Sequence, residues 1–322
     1  MNTMPVLSVV MSVFNAEKYL HKAVDSVLNQ TFQDFEFIII EDCSTDRSLE
    51  ILEEYARKDS RIVLIKKDKN KGAAGFIENL NIGLDKSRGK YIARMDADDI
   101  SLPERFEKQI AVLEGDAELF IVGANLEMMD ENDNHISIKS APVSDSEIKN
   151  TMYKSIALYH PVLMFRNDGK IRYREKMLSC EDYDLYFRLM LQNKKMANIP
   201  EILLKYRVLD SSISRKDKTF IRWMMVEKAR AFYLESKNSG KDSYDDFKPE
   251  NIQKITDSDY KSSLEDLVFA VKTALKFSEK EELNSILKKI KKFYPNQSVL
   301  KYKIASALPN PSSKLYSKLL IS

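Results

Sequence analysis

The apolar residues of this chain alternate between short unbroken runs and spaced stripes. Val6 to Phe14 is almost continuously apolar, the pattern of a strand covered on both faces. Asn15 follows as a helix cap, and Tyr19, Leu20, Ala23, Val24, Val27 and Leu28 then recur at the three-and-four spacing of one helix face. The cycle repeats. Phe35–Ile40, Ile62–Ile65 and Tyr91–Met95 read as strands, while Leu49, Ile51 and Leu52, then Ile77, Leu80 and Leu84, mark helices between them. Alternation of this kind predicts a mostly parallel sheet with right-handed crossovers over residues 1 to about 125.

From Leu126 to about Arg207 the pattern is mixed. It predicts strands at Ile136–Ile138 and around Val162–Phe165, and a helix over Tyr183–Leu191. After Ser214 the periodicity is helical, with stripes in Phe220–Leu234, in Leu264, Val268, Val271 and Leu275, and in Leu283, Ile286, Leu287, Ile290 and Phe293. Ser236–Lys248 reads as a polar loop. The expected division is a domain over 1–215, in halves of 1–125 and 126–215, followed by a helical region over 216–322.

With 43% hydrophobic and 31% charged residues, the 322-residue chain has a globular composition, and its net charge of +2 excludes a polyelectrolyte binder of nucleic acid. Cys43 and Cys180 lie far apart without metal-ligand spacing, which favours a reducing compartment over a disulfide framework. No charged segment followed by an apolar one opens the chain, and no run approaches the roughly 20 apolar residues of a spanning helix. A cytoplasmic protein is expected, lying on a membrane rather than in it if it meets one.

Ligands of parallel sheets bind beyond the carboxyl ends of the strands, and three acidic clusters stand there. Glu41-Asp42-Cys43-Ser44-Thr45-Asp46 follows the second strand. A carboxylate there can accept a base N–H and a ribose hydroxyl, or belong to an ordinary capped turn. Asp96-Ala97-Asp98-Asp99 follows the fourth strand; three carboxylates in four residues suit magnesium or manganese bound with phosphates, or form a solvated acidic turn. Glu181-Asp182-Tyr183-Asp184 opens a helix, where carboxylates are favoured by the dipole and one can serve as general base.

In this order the clusters resemble the family 2 nucleotide-sugar glycosyltransferases of GT-A fold, of the kind that builds bacterial surface polysaccharide. Further matches are Ser8–Asn15, Ser26–Phe32, Asn70-Lys71-Gly72, Asn81-Ile82-Gly83, Gly89–Asp99, Pro103-Glu104-Arg105 and His160-Pro161, so the likeness runs from about Val6 to Ser214. The resemblance implies an α/β fold with a Rossmann-like, mostly parallel central sheet flanked by helices. It implies a nucleotide-sugar donor, usually with uracil as base, and a glycan or lipid-linked acceptor. Ser12 and Phe14 would line the base pocket, Asp42 would hold the base, and Asn81 and Arg94 would lie near ribose, diphosphate or sugar. Asp96 and Asp98 would form an Asp-X-Asp motif, with Asp98 the direct ligand of Mn2+ or Mg2+. Asp182 would be the base, with Glu181 and His160 contacting acceptor or donor. The chemistry implied is an inverting transfer.

The chain departs from the family pattern twice. Cys43 stands where glycine is usual, so that position is expected to tolerate a side chain. Leu209 replaces a frequent histidine that contacts metal or diphosphate, and Arg207 or Arg215 would then bind phosphate. Arg222-Trp223 is similar to the end of a Gln-X-X-Arg-Trp motif of processive synthases, but Thr219 stands first, so Trp223 reads as helix packing. His21 and His135 read as surface residues.

Two other functions are weighed. A nucleotidyltransferase would carry a Gly-rich basic loop after the first strand, where this chain has Phe14-Asn15-Ala16-Glu17. A silent binding module would have no need of both Asp98 and Asp182. Finally, eight lysines and no acid lie between Leu283 and Ser322. The lysines near Ile286 are expected to face outward, opposite the apolar stripe, as a patch for anionic lipid at the inner face of the cell membrane.

Overall fold

The computed structural model describes residues 4–209, 219–300 and 302. The apolar runs form the strands expected of them: β1 (Leu7–Val13), β2 (Phe35–Glu41), β3 (Ile62–Lys66) and β4 (Tyr91–Asp96). Between them lie α1 (Glu17–Leu28), α2 (Ser48–Lys58) and α3 (Gly72–Lys86). All pairings among these four strands are parallel, β1 lying between β2 and β4. Their apolar side chains, Leu7, Val9, Met11, Phe37, Ile39 and Ala93 among them, are buried in one core.

A two-residue strand β5 (Ile100–Ser101) and helix α4 (Arg105–Gly115) follow. Then come β6 (Leu119–Met129), β7 (His135–Lys139), α5 (Asp145–Met152), a 3-10 turn at His160–Val162, β8 (Met164–Arg166), α6 (Glu181–Leu191) and β9 (Lys195–Arg207). The sheet runs β3-β2-β1-β4-β8-β6-β9-β5, with β7 attached to β6. β8 is antiparallel to both its neighbours and joins the parallel half to the long β6–β9 pair, itself parallel. Neither β6 nor β9 is predicted by the sequence pattern. Their register shifts between Leu119 and Ile121 and twice between Ala124 and Leu126. The irregularity accommodates Pro200, which has no N–H for a ladder.

The described residues form two compact units, one drawn from 1–175 and 181–212, the other from 176–180 and 213–322. In the second are α7 (Thr219–Ser239), α8 (Pro249–Gln253), α9 (Leu264–Phe277) and α10 (Lys280–Phe293). Trp223 packs as expected, stacked on Phe277 with ring centroids 4.5 Å apart. Most lysines of the basic helix do face outward, Lys288, Lys291 and Lys292 being exposed, and Lys289 is the exception. Lys289 is only 4% exposed, within the buried face of α10, and its Nζ donates to the carbonyls of Lys254 and Ile255 at 3.1 and 3.0 Å. Lys292 pairs with Asp259 at 3.0 Å, while Lys288 and Lys291 are exposed. Lys301, Lys303, Lys314 and Lys318 lie outside the described residues. No helix among the described residues is long and apolar enough to cross a membrane.

Gly89 shows how tightly the parallel half is packed. A Cβ there would stand 2.6 Å from the backbone of Leu7 and Ser8 and 2.9 Å from the Tyr91 carbonyl. The obstructing atoms are all main chain and cannot swing aside. Gly89→Ala is therefore expected to cost about 2–4 kcal/mol in urea unfolding; a loss below about 0.5 kcal/mol would show that the strand edge gives way.

Candidate active site

Strand register brings the polar ends together. Ser12 on β1 stands beside Asp96 on β4, and Val13 beside Glu41 on β2. Past these ends the loops after β1 and β2 are laced to each other. The Thr45 N–H donates to Asn15 Oδ1 at 2.8 Å, and Glu17 N–H to Asp46 Oδ2 at 3.0 Å. Asp46 Oδ1 accepts from Ser48 N–H at 2.9 Å, so one carboxylate serves the N-termini of both α1 and α2. Asn15 itself is not the cap: it adopts φ +50°, and the cap position is Ala16. This lacing carries Phe14, 49% exposed, where a planar base could stack on it.

Behind Phe14, Asp42 is buried. Lys67 Nζ stands 3.0 Å from its Oδ1, and Asn70 Nδ2 donates to its Oδ2 at 3.0 Å. Lys67 also meets Glu78 at 3.0 Å. Gly75 lets α3 approach: a Cβ there would lie 3.2 Å from Asp42 Oδ2. The residue of α3 that reaches the strand end is Asn79, fully buried, whose Nδ2 donates to Ser12 Oγ at 2.9 Å. Asn81, expected near the donor, is instead consumed by the backbone of Tyr173. Its Nδ2 donates to the Tyr173 carbonyl at 3.0 Å and its Oδ1 accepts from the Tyr173 N–H at 2.9 Å. Lys67, Asn70 and Asn79 carry no sequence pattern that singles them out, although Asn70 opens one of the matched motifs.

Cys43 has φ +59°, the left-handed region that side chains disfavour. The expectation that this position readily tolerates a side chain is thus corrected. The chain must turn sharply off β2 there, and the thiol recovers part of the cost by donating to the Lys67 carbonyl at 2.8 Å.

At the end of β4, carboxylate oxygens of Asp96, Asp98 and Asp99 lie within 4.8 Å of one another. Arg94, buried, forms an ion pair with Asp96. Burial, and then the charge of Asp96, push Asp98 up to about 7. Burial and both neighbours hold Asp99 well above the usual carboxylate range. Asp99 Oδ1 accepts from the Arg207 N–H at 2.8 Å, while the buried Oδ2 has no partner. A hard oxygen-binding cation fits this set: it supplies the missing charge and a partner for an orphaned oxygen. Arg105, from the Pro-Glu-Arg motif, is fully buried and donates to the Arg94 carbonyl at 2.7 Å, and burial lowers its pKa to about 9. Gln30, just past the end of α1, secures the next stretch through Ser101 Oγ at 3.1 Å and the Leu102 carbonyl at 2.8 Å. Arg207 is corrected as a phosphate ligand. Its side chain has no exposure, and its Nε donates to the Asp98 carbonyl at 2.8 Å from beneath the loop. Arg215 lies outside the described residues.

The third cluster opens α6. Glu181 is buried and Asp182 partly so. Burial, and then Asp182, raise Glu181 to about 8, against the pull of Arg94. His160 is buried, its Nε2 2.8 Å from the Tyr173 hydroxyl and its Nδ1 3.9 Å from Glu181 Oε1. Burial, with Arg94 adding to it, keeps His160 neutral. The Arg94 charge thus acts on both Asp96 and Glu181, which ties the second and third clusters into one electrostatic site. Leu209 leaves the site without the histidine frequent in the family.

A curled α/β sheet with an acidic trio at one strand end and an acidic helix start facing the same arginine defines a nucleotide-sugar transferase of GT-A fold. The sequence profile described as Glycosyl transferase family 2 matches residues 8–181, and the chain belongs to that family. It is similar to the O-antigen biosynthesis glycosyltransferase WbnJ of Escherichia coli, 34% identical over 65% of this chain and 82% of that protein. Among solved structures it resembles TarS 1–349 of S. aureus in complex with UDP-GlcNAc, with a TM-score of 0.60, 16% identity and coverage of 91% and 93%. It also resembles the mannosyltransferase PcManGT of Pyrobaculum calidifontis in complex with GDP-Man and Mn2+, with a TM-score of 0.53, 14% identity and coverage of 99% and 86%.

The site yields two stability predictions. Cys43→Gly removes left-handed strain and one weak thiol bond, so it is expected to stabilise the fold by roughly 0.5–1 kcal/mol; a lower melting temperature would mean the thiol contact dominates. Glu181, raised from 4.5 to about 8, keeps in the folded state a proton that the unfolded chain gives up. Stability contributed by this group therefore falls as pH rises from about 4.5 to 8. Glu181→Gln should match the wild type near pH 4 and exceed it by several kcal/mol at pH 8.5. Denaturation at the two pH values decides; an advantage that does not grow with pH would contradict the raised pKa.

Proposed function

We propose that the protein is a metal-dependent, inverting transferase that moves a sugar from a nucleotide-diphosphate donor, a UDP-sugar, onto a hydroxyl of a glycan or lipid-linked acceptor. The observation that carries this is the convergence of the Asp96, Asp98 and Asp99 carboxylates beside Ser12, at a strand end whose Arg94 also acts on Glu181. The bound nucleotide sugars of TarS and PcManGT, and the Mn2+ of the latter, support the donor class and the metal. The O-antigen biosynthesis named for WbnJ supports a place in surface-polysaccharide or lipopolysaccharide synthesis. Residues 1–215 form the catalytic domain in this reading, with 1–125 binding the donor and 126–215 the acceptor.

Phe14 stacks on the base, and Ser12 and Asp42 line its pocket. Asp98, with Asp96, would hold Mn2+ or Mg2+, which would stabilise the departing diphosphate. Asp182 takes the proton of the acceptor hydroxyl as that oxygen attacks the anomeric carbon from the face opposite the diphosphate. One displacement inverts the centre, so no enzyme nucleophile is called for. Glu181, holding a proton up to about pH 8, is a neutral neighbour of the proposed base Asp182. A neutral Glu181 beside it can donate a hydrogen bond to donor or acceptor, and His160 buttresses that face through Tyr173.

The test is a panel of nucleotide sugars with Mn2+, reading released nucleotide, followed by NMR of the product linkage. An α-linked donor should give a β-linked product, and a retained centre would refute direct displacement. Asp98→Ala should lose transfer by several orders of magnitude, and chelation should abolish it. Asp182→Asn should bind donor normally yet transfer about a hundredfold more slowly or worse; near-normal transfer would leave Asp182 as a helix cap.

A further inference from the structure

Beneath the acidic trio lies a network that the reaction itself does not use. The hairpin joining β6 to β7 turns through Asp130–Asn134, with Asp133 at φ +69°. Arg207, the last residue of β9, reaches into this turn. Its Nη1 stands 2.5 Å from Asp133 Oδ1 and donates to the Asp130 carbonyl at 3.0 Å. The guanidinium lies over the Tyr19 ring of α1, 4.2 Å from the centroid. The same residue grips the metal loop at two points: Nε to the Asp98 carbonyl at 2.8 Å, and its backbone N–H to Asp99 Oδ1 at 2.8 Å. Nη2 has no partner among the described residues.

We infer that Arg207 is a positioning residue through which the Asp130–Asn134 turn sets the shape of the Asp98–Asp99 loop, and with it the affinity of that loop for a divalent cation. The inference rests on the metal reading above. A planar guanidinium makes bonds in fixed directions from one rigid fork. With Asp133 and the Asp130 carbonyl holding one arm, the Nε arm can meet only one position of the Asp98 carbonyl. Moving the turn therefore moves the backbone that carries Asp98. Asp133 touches none of the three carboxylates itself and also pairs with Lys22 of α1. Its effect on cation binding must therefore pass through Arg207, through Lys22 or through bulk charge. Glu131 isolates the last of these routes. It sits in the same turn with the same charge, but pairs with Lys18 at 3.1 Å.

Titration of the full-length protein with Mn2+ alone, reading free ion by EPR, tests this. Asp133→Asn is expected to weaken binding about tenfold. It also lowers the melting temperature, because buried Arg207 loses its carboxylate partner, so the titration is run well below that temperature, where the variant is folded. Arg207→Lys, which keeps charge but loses the fork, should weaken it at least as much. Glu131→Gln should stay within twofold of wild type, and so should Lys22→Met, which breaks only the Lys22 contact of Asp133. A loss in Glu131→Gln or Lys22→Met equal to that of Asp133→Asn, or no loss in Asp133→Asn, would overturn the inference. Asp98→Ala must abolish binding; Mn2+ binding that survives it would strike the metal reading and take this inference with it.

Discussion

Three carboxylates in four residues, at the end of a buried strand, are the constraint around which this structure is arranged. Left alone they would repel one another or take up protons, and burial raises the cost of every charge among them. Two arginines answer that cost differently. Arg94 meets Asp96 directly, while Arg105 carries its charge below the strand with carbonyl and side-chain amide oxygens as its hydrogen-bond partners. The residual demand for positive charge falls at Asp98 and Asp99, whose carboxyls burial and their neighbours push upward. In the function proposed above, a divalent cation would meet that demand, drawn by an electrostatic deficit built into the fold.

What the sequence makes legible follows from where the energy lies. Parallel strands covered on both faces must be apolar throughout, so β1, β2 and β4 are read from composition alone, and the polar residues just past them are site candidates by position. β3, at the sheet edge with Val63 exposed, is read from its short run of branched residues. β6 and β9 escape the same reading because their pairing is broken by irregularities, and Pro200 argues locally against a strand that the tertiary ladder nevertheless forms. Cys43 shows the complementary limit. Its backbone sign is imposed by the turn off β2 and leaves no trace in side-chain pattern.

Within the site, residue type is read better than residue role. Asn81 belongs to a matched motif, yet it ties α3 to the backbone of Tyr173; two residues earlier, Asn79 projects to Ser12. A displacement of two positions on a helix turns a side chain to another face, and no local signal in this stretch says which asparagine faces the strand ends. Lys67 is invisible for a related reason. It is one lysine among four between Lys66 and Lys71, and only the register of β3 with β2 places it against Asp42.

At the other end of the chain charge counting misplaces one lysine. Lys288, Lys291 and Lys292 face outward as the stripe implies, but Lys289 lies in the packed face of α10 and uses its ammonium to satisfy the carbonyls of Lys254 and Ile255 just past α8. A lysine can do this because its long apolar stem buries with the helix stripe while the head finds oxygen. The burial lowers its pKa, so its charge is partly a structural quantity. Arg207 follows the same logic in the catalytic sheet. A basic residue near a phosphate site invites assignment to phosphate, yet full burial and fixed partners make it part of the scaffold. In both places the decisive observation is which oxygens the cation already holds, and that is settled by packing rather than by sequence.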